Sequence, residues 1–245
     1  CQSNPALTGY LQSLIGDGFL NDANALEALL QYRDDPDVLE NLQAIKRKNK
    51  VRLAAYIAEH NGVNVDPDSI FDVQVKRLHE YKRQLLNVLH ILTLYNDIKD
   101  HPEKPVYPQT FIFAAKASAG YYLAKQIISL IVAVSNLVNS DPQVQNKLKV
   151  VFIEDYKVSL AEIIIPAADL SEQISVAGKE ASGTSNMKLM ANGALTVATM
   201  DGANIEIHDY VGDDNIFTFG LSSQEVYRYY ADNSYHASEY YENDP

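Results

Sequence analysis

The 245-residue chain is 47% hydrophobic and 21% charged, so it is long enough to bury a core and too apolar to be disordered. Its formal net charge is −12, and its isoelectric point lies near 4.8. This charge excludes general electrostatic attraction to nucleic acid or to an anionic membrane, and any anionic ligand must meet a local basic pocket. We expect one large globular domain without a nucleic-acid or membrane partner.

The most apolar stretch, residues 127–138, is interrupted by polar residues and is shorter than a bilayer requires. The chain opens without a basic-then-apolar leader, and its single cysteine, Cys1, excludes an internal disulfide framework. These features predict a cytoplasmic location. Because the chain opens on Cys-Gln-Ser and stops at Asn243-Asp244-Pro245, we expect both ends to be boundaries within a longer protein.

Residues 1–69 have helical periodicity and are predicted to form a helical lead-in. One segment contains Leu26, Leu29 and Leu30, and a second, residues 38–57, ends near Gly62 after a break at residues 34–36. The second segment also contains a basic run that has no strand end beside it, so we expect this run to face solvent. The run comprises Lys46, Arg47, Lys48, Lys50 and Arg52.

From Ile70 the pattern changes to short β-prone runs separated by longer helical ones. The predicted strands are residues 71–75, 110–113, 150–153, 174–176 and 195–199, and the predicted helices between them are 82–98, 121–138, 160–165 and 184–192. This alternation predicts right-handed βαβ units and an α/β fold with a Rossmann-like, doubly wound parallel sheet. The βα core spans 70–220, and a tyrosine-rich helical tail spans 221–245.

Ligands of such sheets bind at the carboxyl ends of the strands, near the point where the strand order reverses. The run from Lys76 to Arg83 begins where the first predicted strand stops, and it holds four basic residues against one acidic residue. The helix that follows offers free backbone N–H groups. Position and charge make this run a candidate anion site, and a solvated basic surface is the alternative.

A second candidate lies in residues 178–188, between the last two predicted strands. Gly183 permits a tight turn, and Thr184 with Ser185 is expected to cap a helix whose free N–H groups form a phosphate nest. Lys188 follows Thr184 by four residues, which on a helix places it on the same face one turn away. Such a nest can hold the phosphate of a small phosphorylated aldehyde whose carbonyl reacts with Lys188. An ordinary capped helix with a surface lysine is the alternative.

Two further positions follow predicted strands. Tyr156 and Lys157 come after the third strand and Lys116 after the second, where each can reach a ligand or be an ordinary loop residue. His79 and His90 have no carboxylate or cysteine at ligand spacing, which argues against a metal site. The sequence contains no Gly-x-Ser-x-Gly nucleophile elbow, and we find no Ser-His-Asp arrangement.

Three of these segments together resemble the signatures of the α-glucan phosphorylases. They are VKRLHEYKRQ at 75–84, EASGTSNMK at 180–188 and MDGAN at 200–204, and the resemblance extends from about Asn4 to the end of the chain. It implies most of the C-terminal domain of a two-Rossmann (GT-B) glycosyltransferase that lacks its N-terminal half here and is commonly a homodimer at full length. The implied reaction uses inorganic phosphate to cleave the terminal α-1,4 bond of a glucan, releasing glucose 1-phosphate with retention.

The resemblance also implies a cofactor, pyridoxal phosphate, held as an imine by Lys188. In this family the phosphate group of the cofactor relays a proton to the substrate phosphate. By similarity, Lys76, Gly183 and Thr184 hold the cofactor phosphate, and Arg77 and Lys82 hold the substrate phosphate. The implied catalytic group is Lys188, Arg77, Lys82 and Thr184.

Further residues take their roles from the same resemblance. Tyr156 and Lys157 correspond to positions that line the cofactor, and the residues that correspond to a sugar-binding group are Glu180, Ala181, Ser182 and Gly183. Ser185 stands where many members have glycine, and Lys157 stands where animal members have arginine. Because two-domain glycosyltransferases react in the cleft between their halves, we expect this chain alone to be inactive.

Two other functions remain open at this point. A non-catalytic glycan- or nucleotide-binding Rossmann-like module requires neither Lys188 nor the basic run. An ordinary pyridoxal enzyme such as an aminotransferase requires an Asp facing the pyridine nitrogen and an arginine for a carboxylate, and we can place neither in this sequence.

Overall fold

The structure, a computed structural model, describes residues 2–243, so Cys1 lies outside the described residues. The helices are α1 (Pro5–Ile15), α2 (Pro36–Asn61), α3 (Gln84–Asp100), α4 (Tyr122–Ser140), α5 (Val158–Ala167), α6 (Ser185–Met190), α7 (Asn204–Val211), α8 (Ser223–Asp232) and α9 (Ala237–Asn243). The strands are β1 (Ile70–Val75), β2 (Gln109–Ala114), β3 (Leu148–Ile153), β4 (Leu170–Gln173), β5 (Leu195–Ala198) and β6 (Phe217–Thr218). Short 3₁₀ helices occupy Gly18–Leu20, Ala23–Tyr32, Glu80–Lys82 and Asp213–Asn215.

The six strands form one sheet in the order β3-β2-β1-β4-β5-β6, and every neighbouring pair is parallel. The chain builds outward from β1 through β2 to β3 and then returns to the other side of β1 to add β4, β5 and β6. The predicted doubly wound α/β fold is therefore confirmed. The strand order reverses between β1 and β4, and the crevice at their carboxyl ends is the position where sheets of this kind bind ligands.

Apolar side chains fill both faces of the sheet. On one face, Val73 of β1 belongs to a cluster with Leu53 and Ile57 of α2 and with α5. On the other face, Phe111 of β2 belongs to a cluster with Ile91 of α3 and with α4. Each such side chain is fully or almost fully buried, and its burial stabilises the fold by about 2 kcal/mol. The covered sheet holds the strand ends, and hence the candidate site, in fixed positions.

One predicted strand is wrong, because residues 174–176 form a loop and β4 ends at Gln173. Ile174 and Val176 are apolar and β-prone, but the backbone N–H of Val176 donates to the carbonyl of Tyr81 instead of to a neighbouring strand. The true strand carries Ser171, Glu172 and Gln173, whose polar character concealed it. Helix α7 and strand β6 were also not predicted from the sequence.

Helix α4 has 19 residues and is longer than the apolar stretch 127–138 suggested. By length and composition alone it could cross a membrane, which corrects the expectation that the apolar stretch is too short. Its buried stripe packs against the sheet, as the core helix of an α/β domain does, and contains Ala124, Ile127, Ile131, Val134 and Val138.

The prediction that the basic run of α2 faces solvent is wrong for two of its lysines. Lys46 Nζ donates to the carbonyls of Ala168 at 2.6 Å and Asn192 at 2.7 Å, and burial lowers its pKa to about 8. Lys50 is 7% exposed. These residues lie one turn apart on the face of α2 that packs against the sheet. Arg47, Lys48 and Arg52 are exposed, as predicted.

Candidate functional site

The side chain of Lys76 spans the switch point of the sheet. Lys76 follows β1, and its Nζ donates at 2.7 Å to Oε1 of Gln173, the last residue of β4. Burial lowers the pKa of Lys76 to about 8, and repulsion from Lys82 acts in the same direction against attraction from Glu180 and Glu172. The ammonium is therefore held by a neutral partner in the crevice where ligands of such sheets bind.

The same Gln173 reaches the second candidate segment. Its Nε2 donates at 3.3 Å to Oγ of Ser185, the first residue of α6. Hydrogen bonds from Lys76 to Gln173 and from Gln173 to Ser185 thus join the basic run to the turn that precedes α6. Spacing along the sequence could not join these two segments, which only the family resemblance assigned to one cofactor phosphate.

The turn before α6 has the predicted glycine conformation. Gly183 has φ +89, and a Cβ there would lie 3.2 Å from Asn186 Nδ2, so a larger residue would be strained. Thr184 occupies the N-cap position, but its side chain makes no capping hydrogen bond, contrary to the expected cap. Its backbone φ of −130 and ψ of −27 depart from the extended conformation that capping side chains require.

Lys188 lies one turn into α6, and its backbone N–H donates to the carbonyl of Thr184 at 3.3 Å, in agreement with the predicted helical spacing. The residue is exposed, and no side chain or carbonyl among residues 2–243 binds its ammonium group. Arg77, which follows Lys76, is also exposed and has no partner for its guanidinium within the same residues. These two cations are therefore available to an external anion or carbonyl.

Lys82 and Glu180 form an ion pair of 2.5 Å between the two candidate segments. Burial opposes the charge on Lys82, but its hydrogen bond to Glu180 and the neighbouring Tyr81 outweigh that effect and raise its pKa. The two side chains are only 16% and 24% exposed. The residue predicted to bind substrate phosphate and the residue predicted to bind sugar hydroxyls are thus direct neighbours.

The third candidate group is separate from this arrangement. Lys116 and Lys157, at the ends of β2 and β3, both pair with the carboxylate of Asp155 at 2.7 and 2.9 Å, and they lower its pKa to about 2. Tyr156 is half-buried against the core under α2 and α5, and burial raises its pKa. No described contact joins these residues to the switch point, and their predicted roles stay predictions.

Two buried carboxyls beside Lys76 were not predicted from the sequence. Asp72 of β1 is 4% exposed and Glu172 of β4 is 6% exposed, and the strand register puts them on one face of the sheet. Burial raises the pKa of Asp72, as does the neighbouring Glu172, and burial raises the pKa of Glu172 to about 7. The two carboxyls are thus close neighbours in a buried position, where Glu172 favours the protonated form of Asp72. Polar residues at alternate positions of a buried strand, Asp72 and Gln74, were the available signal.

Comparison with known proteins gives close relatives over 99% of the chain. It is 55% identical over 243 residues to the glycogen phosphorylase of Bacillus subtilis (strain 168) and 52% identical over 242 residues to that of Pasteurella multocida (strain Pm70). It is 51% identical over 242 residues to the muscle form of glycogen phosphorylase from Oryctolagus cuniculus.

These relatives are much longer than the chain. The chain spans 30% of the length of the two bacterial proteins and 29% of the rabbit protein. The model of the phosphorylase family, described as carbohydrate phosphorylase, matches residues 1–245. Because that match covers every residue, the chain belongs to the carbohydrate phosphorylase family.

Proposed function

We propose that the chain is the greater part of the C-terminal, cofactor-binding domain of an α-glucan phosphorylase. The full-length enzyme uses inorganic phosphate to cleave terminal α-1,4 bonds of a glucan and releases glucose 1-phosphate with retention. The observation that supports this proposal best is the pair of hydrogen bonds that link Lys76, Gln173 and Ser185. These bonds join the basic run to the turn before Lys188. Binding of a sugar alone requires neither the cations nor a free lysine at this edge.

The residues beside α6 suit pyridoxal phosphate. Lys188 offers an exposed primary amine without a protein partner, and the backbone amides around Gly183 with the ammonium of Lys76 suit a phosphate monoester. When bound, the cofactor supplies a phosphate group that exchanges a proton with the substrate phosphate. The chain supplies the amine that holds it and the donors that orient its phosphate.

Positive charge is the second requirement of this function. Two phosphates held close together in a desolvated cleft repel each other strongly, and cations placed between them offset that repulsion. We assign the cofactor phosphate to Lys76 and the substrate phosphate to Arg77 and Lys82. Glu180, paired with Lys82, accepts hydrogen bonds from sugar hydroxyls together with the 181–183 backbone, so sugar and phosphate are oriented by neighbouring side chains.

The test is phosphate-dependent release of glucose 1-phosphate from maltodextrin by the full-length enzyme, measured alongside the absorption band of bound cofactor. Lys188→Arg is expected to abolish both. The matched control Lys179→Arg changes another exposed lysine of the same segment and is expected to keep both. Release of free glucose without incorporation of phosphate would contradict the proposed reaction. Saturable glucan binding without turnover would favour the alternative of a non-catalytic binding module.

We further propose that this chain alone does not catalyse the reaction, that the full-length enzyme is a homodimer, and that it is cytoplasmic. Lys76, Lys82 and Lys188 all belong to one wall of the cleft, and the missing half must supply the opposite wall and exclude water. Assay of the isolated chain with added pyridoxal phosphate is expected to give no glucose 1-phosphate. Turnover approaching that of the full-length enzyme would overturn the two-wall account.

A further inference from the structure

The carboxylate of Asp201 holds the segment that carries Glu180. Asp201 follows β5 and is 3% exposed. Its Oδ1 accepts a hydrogen bond from the backbone N–H of Gly178 at 2.9 Å. Its Oδ2 accepts from the hydroxyl of Ser175 at 2.6 Å and from the backbone N–H of Glu180 at 2.9 Å. One buried side chain therefore fixes three points along 175–180, and hydrogen bonds to a carboxylate are stronger than those to a neutral acceptor.

The residues after Asp201 press directly against the same segment. Gly202 has φ +54, and a Cβ there would lie 2.5 Å from the carbonyl oxygen of Ser182 and 3.1 Å from that of Glu180. The backbone N–H of Ala203 donates to the carbonyl of Ser182 at 2.7 Å. This approach of backbone to backbone leaves no room for a side chain, so only glycine fits at 202.

Two more side chains complete the support. Thr199 Oγ1 donates to the carbonyl of Ser175 at 2.6 Å. Asn204 Nδ2 donates to the carbonyl of Gln173 at 3.1 Å, and Asn204 Oδ1 accepts from Asn186 Nδ2 at 2.9 Å. Residues 199–204 therefore brace the loop from the end of β4 to the start of α6, and within this brace Asp201 supplies the only carboxylate.

The link to substrate passes through Glu180. Asp201 fixes the backbone N–H of Glu180, while the carboxylate of Glu180 pairs with Lys82 of the basic run. A charged group near Asp201 is Arg83, whose Nε donates to the carbonyl of Ile174 at 2.6 Å. Burial lowers the pKa of Arg83, and the charge of Asp201 opposes that shift. Asp201 itself lies behind the loop, so it acts on the position of Glu180.

We propose that Asp201 is a positioning residue for the sugar site, holding Glu180 where it binds the glucosyl hydroxyls of the substrate. The inference rests on the proposed function and adds to it a residue that determines how the transferred sugar is recognised. Asparagine at position 201 has nearly the same shape as aspartate, but only one of its two terminal atoms is an oxygen that accepts hydrogen bonds. Whichever oxygen becomes an NH₂ group, at least one N–H donor then faces another donor.

The experiment is a double-mutant cycle in the full-length enzyme, measuring kcat/KM for glucose 1-phosphate and the retained cofactor. Asp201→Asn is expected to lower kcat/KM by roughly 10- to 100-fold at unchanged cofactor content. In a Glu180→Gln background the same change is expected to cost less than about 3-fold, because the group that Asp201 positions has already been altered. Asp213→Asn, a matched change at an exposed carboxylate outside the site, is expected to leave kcat/KM unaltered.

Unchanged kcat/KM in Asp201→Asn would overturn the proposal. An equal loss of kcat/KM with and without Glu180→Gln would also overturn it, because Asp201 would then act on the structure independently of Glu180. If Asp201→Asn does not fold, Ser175→Ala removes one of the three bonds and is tested in the same cycle. Wild-type enzyme without phosphorolysis would instead refute the proposed function. Hydrogen exchange at the amides of Gly178 and Glu180 tests the brace independently of activity, and it is expected to accelerate in Asp201→Asn; unchanged exchange there would likewise overturn the proposal.

Discussion

The cations at the two ends of the parallel strands differ in whether the protein itself supplies their partners. At the amino ends, Lys50 Nζ donates to the carbonyl of Ser69 at 2.7 Å and pairs with Asp169 at 2.5 Å, while the Asp169 carboxylate also accepts from the backbone N–H of Phe71. At the carboxyl ends, Arg77 and Lys188 have no partner among the described residues.

This difference separates a cation that stabilises the fold from cations whose charge no described group of the protein compensates. A buried charge is tolerated only where hydrogen bonds and an opposite charge compensate its desolvation, and Lys50 has both within the chain. Lys76 is intermediate, because it is largely buried but its direct partner, Gln173, is neutral. We infer that its compensation comes from a bound anion.

The largest effect is expected at Lys188. Borohydride reduction of the full-length enzyme, followed by peptide mapping, is expected to place the pyridoxyl group on Lys188, because its amine is exposed and unpartnered. Lys188→Ala is expected to remove the label completely. A pyridoxyl group on Lys179 or Lys116 would contradict the assignment.

At the amino ends, Lys50→Met is expected to lower the free energy of unfolding by about 3 kcal/mol, because it leaves the carboxylate of Asp169 without its cation. Chemical denaturation measures this change. Lys48→Met, on the exposed side of the same helix, is expected to shift stability by less than about 0.5 kcal/mol. Equal effects of the two substitutions would remove the distinction between the two ends of the sheet.

Arg77→Ala is expected to leave the free energy of unfolding unchanged while costing about 3 kcal/mol of transition-state stabilisation, roughly a hundredfold in rate. The reason is that Arg77 is assigned to the substrate phosphate, while its guanidinium binds no described group of the protein. Steady-state kinetics with varied phosphate and a thermal unfolding scan give the two readings. Arg33→Ala, at an exposed arginine of the lead-in, is the control. A destabilised Arg77→Ala protein with normal phosphate kinetics would reverse the assignment.

The smallest effect concerns Glu172. Its pKa in the folded protein is raised from 4.5 to about 7, so the native state keeps a proton that the unfolded chain has released. Stability is therefore expected to fall as pH rises from about 4.5 to about 7, by on the order of 2 kcal/mol. Glu172→Gln carries no charge and is expected to flatten this slope in denaturation series.

Glu162→Gln, at an exposed glutamate of α5, is expected to keep the wild-type pH dependence. Equal slopes in wild type and Glu172→Gln would mean that the carboxyl pair with Asp72 does not set the pH dependence of stability.

Much of the fold was accessible from the sequence. Four of the six strands were predicted within about two residues at each end, because nearly continuous apolar residues mark strands covered on both faces. The fourth strand was misplaced because its polar residues point into a hydrogen-bonded interior, while the apolar Ile174 lies in the loop that Arg83 holds. Local pattern also cannot reveal strand order.

The sequence by itself determined the α/β class, the positions of the basic run and of Lys188, and the family resemblance, because each is expressed in residue type and spacing. Only the tertiary structure decided which charges have partners. The bond of Lys76 with Gln173, the burial of Lys50 against Asp169 and the three bonds of Asp201 all join residues distant in the chain. Such contacts depend on the order of the strands, and the strand order is set by packing across the whole sheet.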